Sequence, residues 1–268
     1  MDIKYTCAKW PKAEISIDTF LSEVDTDLFQ GSEIFTTLDR NEAEEWGAKH
    51  KERGLDYIAQ IGTEGTTLEA AIDHTLELFE TAALSEPVLI NSQTGRDYFT
   101  LDDNLKIFEA LEQRSKEKGI RVCHETHRGR PTSSLLAISE IIDAFPSIEF
   151  TADVSHLMCV HESDLSNHEH YLEKMIPCVG HLHARVGFDQ GPQVPNPFSD
   201  RYRPWLNRHM EIWRRIVKDL NDRKVETFYI TPEFGPSPYL QYTPFEDKPL
   251  CDVWKLNEEI AAYLQKEL

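Results

Sequence analysis

The sequence predicts an α/β fold, a single (β/α)8 barrel of the TIM type formed by residues 1–268. Three observations predict it. Short apolar or β-branched runs alternate with longer helix-periodic stretches along the whole chain, the pattern of repeating βα units. Eight strand-like runs can be counted, each followed by a helical pattern, and eight units in 268 residues match a closed barrel. No glycine-rich dinucleotide turn follows the first run, which disfavours the alternative, a doubly wound open sheet.

Residues 3–8 read as the first strand and 16–28 as a weak helix. A second strand over 31–35 precedes an acidic-then-basic helix over 41–53. The third strand, 56–61, leads to a helix over 67–83 whose Leu68, Ile72, Leu76, Phe79 and Ala83 share one face. Thr66 or Thr67 caps it, and Glu69 suits its N-terminal dipole. A fourth strand over 87–91 precedes a helix striped by Leu101, Leu105, Phe108 and Leu111 that ends near Gly119. The fifth strand is 120–124, and Leu135, Ile138, Ile141 and Ile142 stripe a helix that Pro146 stops. The sixth strand, 148–152, and a helix over 169–175 come next. The seventh strand is 178–182, and Met210, Trp213, Ile216, Val217 and Leu220 mark a long helix. The eighth strand, 227–231, and a helix carrying Val253, Leu256, Ile260 and Leu264 close the chain. The longest irregular stretch, 185–204, holds prolines at 192, 195, 197 and 204 and is expected to sit over the barrel mouth.

Composition narrows the function. Lys and Arg total 28 against 47 Asp and Glu, a formal charge of -19, which argues against nucleic acid and against an anionic membrane surface as partner. A small molecule is the expected partner, and nothing in the pattern excludes a homo-oligomer. The five cysteines are scattered with no paired spacing, which fits reduced thiols in a cytoplasmic setting. The first residues carry no apolar signal core, and no stretch approaches a membrane span.

Four strand-like runs end in metal-capable side chains: Glu125, Asp153, His183 and Glu233. They are spaced 28, 30 and 50 residues apart, about one βα unit per step with the proline-rich insertion in the last. Residues at the carboxyl ends of several barrel strands build one site, so the four are expected to converge. One imidazole and three carboxylates suit a single divalent ion: Mn²⁺, Mg²⁺ or Co²⁺, with Zn²⁺ allowed.

The segments His124-Glu-Thr-His, Asp153-Val-Ser-His156, Gly180-His-Leu-His183 and Thr231-Pro-Glu-Phe-Gly235 resemble the xylose isomerase-like barrels. That superfamily includes sugar and sugar-phosphate isomerases and epimerases, dehydratases and apurinic endonucleases. The resemblance implies that Glu125, Asp153, His183 and Glu233 bind one metal and that His156 contacts substrate. It prefers His183 over His181 as ligand and leaves His181 deeper on the same side. The sequence departs from the ketohexose epimerases at Pro131, Val186 and Asp189, where they or many other relatives carry substrate-binding or charged groups. Basic residues lie nearby instead: Arg128, Arg130 and Arg185. Guanidinium forks match carboxylate or phosphate, so they either hold an anionic substrate or balance the local acids.

The expectation is a metal-dependent isomerase or epimerase of a small sugar, sugar phosphate or sugar acid. Glu125 and Glu233 would exchange a proton next to a metal-chelated carbonyl, and His156 with an arginine would hold substrate oxygens. A dehydratase or hydrolase on the same site is the alternative, and a non-catalytic sugar-binding barrel is a third reading. Lys9 and Trp10, after the first strand, either line the mouth or pack beneath it.

Overall fold

Residue alternation along eight short strands closes them into one parallel barrel. The computed structural model describes residues 1–268. The strands are β1 (Asp2–Ala8), β2 (Gly31–Phe35), β3 (Asp56–Gly62), β4 (Leu89–Gln93), β5 (Val122–Glu125), β6 (Phe150–Ala152), β7 (Val179–His183) and β8 (Thr227–Thr231). Each pairs with its sequence neighbour, and β8 returns to β1, so no edge is left open. Around them lie α1 (Ile17–Glu23), α2 (Arg40–Arg53), α3 (Leu68–Ala83), α4 (Leu101–Lys118), α5 (Leu135–Ala144), α6 (Val154–Val160), α7 (Glu169–Met175), α8 (Arg203–Asp222) and α9 (Val253–Glu267). The fold is the (β/α)8 barrel that the sequence predicts. None of its helices is long and apolar enough to cross a membrane.

Local chemistry sets the helix ends. Thr67 caps α3 by accepting from the Ala70 amide at 3.2 Å, and Ser134 caps α5 from Ala137 at the same distance. Gly119 ends α4 at φ 67°, where a side chain would be strained. The helix expected over 16–28 stops early at Glu23. Asp25 accepts from the Asp27 amide at 3.0 Å, an Asx turn that competes with another helical turn. The fourth and fifth strands begin two residues later than expected. Helix α6, which the periodicity misses, starts directly after β6 on an Asp153 cap.

The main core is a cluster of 54 buried residues, and Ile58, Leu89 and Tyr229 form a second, small one. Trp213 of α8 is fully buried in the main core. Trp213→Ala is expected to lower the unfolding free energy by about 3–5 kcal/mol. Chemical denaturation of both proteins checks this, and a change near zero would mean that α8 does not pack as described.

Candidate functional site

Sheet register brings the four strand-end residues together. Glu125 on β5 pairs with Thr151 on β6, and His183 on β7 pairs with Thr231 on β8. Asp153 and Glu233 lie two residues beyond those partners, and a step of two keeps the same face. One irregularity makes this work. The β6–β7 register slips between Phe150↔Val179 and Thr151↔His181, so Gly180 is skipped. The bulge turns both His181 and His183 toward the barrel axis. A Cβ at Gly180 would lie 2.5 Å from Arg121 Nη2 and 2.9 Å from Cys123 Sγ, so a larger residue there would displace those side chains.

Glu125, Asp153, His183 and Glu233 each offer a ligand atom, and these atoms all lie within 4.8 Å of one another. All four residues are buried. His183 Nδ1 and Glu233 Oε2 stand 2.9 Å apart, yet neither finds an aligned hydrogen-bond partner. Buried polar atoms are seldom left unpaired, so both point to a shared missing partner. Glu125 is held by neutral donors: Gln60 Nε2 at 3.2 Å, Asn91 Nδ2 at 3.0 Å and Gln93 Nε2 at 3.2 Å, all onto Oε2.

The sequence reading overlooks Glu33. It lies inside β2 and reads as a strand-interior residue, but it is buried at the centre of the polar network. Its Oε1 lies 2.9 Å from His183 Nε2 and accepts from Asn91 Nδ2 at 2.9 Å. Its Oε2 lies 3.0 Å from His181 Nε2 and accepts from Thr231 Oγ1 at 2.5 Å. With Nε2–H of His183 given to Glu33, Nδ1 is left as the lone-pair nitrogen facing the other three ligand residues. The available signal is an acid within an otherwise apolar strand. Gln60, Asn91 and Gln93, polar residues in or ending strand runs, carry the same signal.

The residues expected to bind substrate fall into distinct places. Arg185 reaches the site, but its donors are committed. Its Nη2 pairs with Asp153 and lies 2.9 Å from His156 Nε2 and 3.2 Å from Glu233 Oε2. Its Nε and Nη1 lie 3.3 Å from Ser155 Oγ and the Glu233 carbonyl. Charge balance, one of the two readings offered by the sequence, is what the geometry shows. His156 is buried behind that guanidinium and packs against His127, ring centroids 4.0 Å apart and planes tilted by 53°. Arg130 donates to the Thr63 and Gly95 carbonyls at 2.7 and 2.9 Å and to Oε1 of Gln93 at 3.3 Å. Arg128 lies over the Tyr239 ring at 4.5 Å, outside the cavity lining. His181, expected deeper, is there: its Nδ1 lies 2.9 Å from the Tyr229 carbonyl, so both nitrogens are used within the barrel. It supports Glu33 rather than reaching substrate.

The shared burial pulls the protonation states apart. Burial pushes Glu125 up to about 7; His183 opposes the rise, and Glu233 and Asp153 add to it. Burial would also raise Glu233, but the charges of His183 and Arg185 outweigh it and hold that carboxyl below its ordinary value. Burial disfavours a charge on His183, yet Glu233, Glu33 and Glu125 together lift it well above the usual imidazole range.

These residues fit one divalent cation. The set is oxygen-rich with a single imidazole, two of its atoms lack partners, and Glu33 fixes the imidazole from behind. Glu125, Asp153, His183 and Glu233 would hold the ion, with Asp153 sharing its Oδ2 with Arg185.

Glu125 and Glu233, with Glu33, form the floor of a cavity of about 860 Å³ at the carboxyl ends of the strands, lined also by Lys9, Trp10, Gln60, Gln93, Arg185 and Tyr239, with Asp153 and His183 behind that floor. Residues 186–202 do not line it. They brace the loop after β8, where Gln193 and Gly235 exchange hydrogen bonds of 3.0 and 2.8 Å.

No family model matches the sequence. No curated protein matches it either. Solved structures match over nearly the whole length. D-allulose 3-epimerase from Methylomonas sp., in complex with D-allulose, is 13% identical with a TM-score of 0.67, covering 100% of this chain and 98% of that one. The probable 3-DHS dehydratase of petrobactin synthesis from Bacillus anthracis is 13% identical, with a TM-score of 0.65 and 98% of each chain covered. A xylose isomerase-like TIM barrel protein from Mycobacterium smegmatis, in complex with magnesium, is 11% identical with a TM-score of 0.65, covering 99% of this chain and 97% of that one. At these identities the likeness shows a shared fold.

Removing the support behind His183 tests the arrangement. Glu33→Gln is expected to weaken Mn²⁺ binding by about 10–100-fold. Titration of the metal-free protein, followed by the electron paramagnetic resonance of free Mn²⁺, reads this directly. Unchanged affinity would mean that Glu33 does not aim the imidazole.

Proposed function

We propose that this protein is a divalent-metal-dependent isomerase or epimerase of a small sugar, by proton transfer at a carbon next to a carbonyl. The observation that carries the reading is the convergence of buried Glu125, Asp153, His183 and Glu233 on one point at the mouth of the barrel, where His183 Nδ1 and Glu233 Oε2 face one another without an aligned hydrogen bond. The D-allulose and magnesium complexes of structural neighbours support it. A cation bound by these residues would polarise a carbonyl and acidify the adjacent C–H.

The chain's own residues supply the rest. Two carboxylates, Glu125 and Glu233, divide the removal and return of the proton. Their environments differ in kind: Glu125 sits among carboxamides, while Glu233 faces His183 and Arg185. Such separation is how a pair of carboxylates takes the acid and base roles. Gln60 and Gln93 line the cavity beside Glu125 and are placed to bind hydroxyl groups. Arg185 pairs with Asp153 and opposes the rise that burial imposes on its carboxyl, with Ser155 donating to the other oxygen. None of the three arginines near the site presents an uncommitted guanidinium to the cavity, which favours a neutral sugar over a sugar acid or phosphate. The protein would be cytoplasmic, with no nucleic-acid or membrane partner, as its acidic charge suggests.

Hydrogen exchange tests the chemistry. Mn²⁺- or Co²⁺-dependent incorporation of deuterium from D₂O next to the carbonyl of a turned-over sugar is expected, together with loss of turnover in Glu125→Gln and Glu233→Gln. Turnover with loss of water would instead give the dehydratase reading. Turnover without exchange, and without label transfer within the substrate, would remove the proton-transfer reading.

Metal binding should also compete with protons. Metal-free Glu125 keeps its proton up to about 7, and His183 keeps one well above its usual range. Both must lose it to bind a cation, so Mn²⁺ affinity rises with pH through neutrality. Calorimetric titration in two buffers of different ionisation heat should show proton release at pH 6.5. Equal heats in both would count against these residues as ligands.

A further inference from the structure

The cavity is far larger than its reacting floor. Clefts of roughly 300–1,000 Å³ enclose drug-sized ligands, and this one holds about 860 Å³. A single sugar on Glu125 and Glu233 leaves much of it empty. The remaining space lies beside the segments that follow β1 and β2, and its walls change character. Trp10, Ile15, Ile17, Ile34, Phe35 and Trp46 supply an apolar surface.

Two of these are placed as aromatic platforms. Trp10 is fixed in position: a Cβ on Gly235 would lie 2.1 Å from its ring, so the indole lies against bare backbone. Its other support is Tyr239, edge-on at 5.1 Å and 86°. Phe35 closes β2 and lines the cavity, yet 51% of it is exposed, an unusual state for a large apolar side chain beside a buried site. Charge in this lobe does not favour an ion of either sign strongly. Lys9 is buried, with its ammonium donating to the Lys12 and Ala13 carbonyls at 3.2 and 2.7 Å, and Glu14 and Glu42 lie across from it.

Resting on the isomerase or epimerase reading, we infer that the substrate is a substituted sugar: a head that keeps its carbonyl on the carboxylate floor and is joined, away from that carbonyl, to a second, uncharged ring that packs on Trp10 and Phe35. The flat face of a sugar or an aromatic group presents C–H or π surface to such rings, and a rigid indole gives this contact without ordering cost. Ser16, Thr37, Glu14 and Glu42 at the rim can meet the hydroxyls of a second sugar.

The test uses the Mn²⁺-loaded full chain and three probes with a free anomeric carbon: D-glucose, cellobiose and 4-O-benzyl-D-glucose. Calorimetry should find at least one of the two ring-bearing probes bound about tenfold or more tightly than D-glucose, a difference of about 1.4 kcal/mol. Cellobiose leading would identify a second sugar, and the benzyl ether an aromatic group. Trp10→Ala and Phe35→Ala should each erase the difference between probes. Equal affinities, no detectable binding of both ring-bearing probes, or a preference that survives both substitutions overturns the inference. Repeating the titrations on metal-stripped protein separates the two readings. A ranking that ignores the metal retains the lobe but not the metal-bound head, whereas metal-dependent binding without ranking removes the lobe alone.

Discussion

Four carboxylates taken out of water at the mouth of one barrel govern the site around them. Glu33, Glu125, Asp153 and Glu233 are all buried, and each ionised group loses hydration worth several kcal/mol, to order of magnitude. The barrel compensates each differently. Asp153 receives a fixed cation and a hydroxyl, Glu33 receives two imidazoles, an amide and a hydroxyl, and Glu125 receives carboxamides only. Glu233 is left with an oxygen that no donor addresses in line. The incomplete compensation is local to one face, where a cation would complete it. Arg185 is therefore better understood as part of the site's charge balance than as a substrate clamp.

The scaffold converts sequence spacing into this geometry through register. Two cross-strand pairings and one skipped glycine decide which side chains meet. The proline-rich stretch after β7 is expected over the mouth by its length, but it packs beside the loop after β8 and holds Gly235 in place. Its effect on the cavity is indirect: it fixes the backbone against which Trp10 rests.

Much of the fold is legible in the sequence because long helices carry strong periodicity and strands end in recognisable chemistry. The four ligand candidates stand out since acids and histidines at strand ends recur at βα spacing. Glu33 does not, because a single acid within a five-residue strand gives no sign of whether it faces the helices or the axis. The partners of Arg130 are not legible either, because its neighbours in sequence are site residues, whereas its acceptors include carbonyls on the loops after β3 and β4. The short helix α6 carries too few turns to show a period, and the Asp153 that caps it is also the residue the site requires.

The ring of Tyr239 is a meeting point with an evolutionary consequence. Arg185 lies over it at 4.6 Å, Arg128 at 4.5 Å, and Trp10 meets it at 5.1 Å. His156 meets it edge-on at 6.0 Å, so segments following β1, β5, β6, β7 and β8 share one side chain. Barrel loops ordinarily diversify one at a time, each hanging from its own strand. Here a change in any of these segments alters the room left for the other four, so they are bound to drift together. The segments after β3 and β4 are tied to the one after β5 by Arg130, which donates to the Thr63 and Gly95 carbonyls. The segment after β2 makes neither tie, so new specificities would arise most readily there, with the interlocked side inherited as a block.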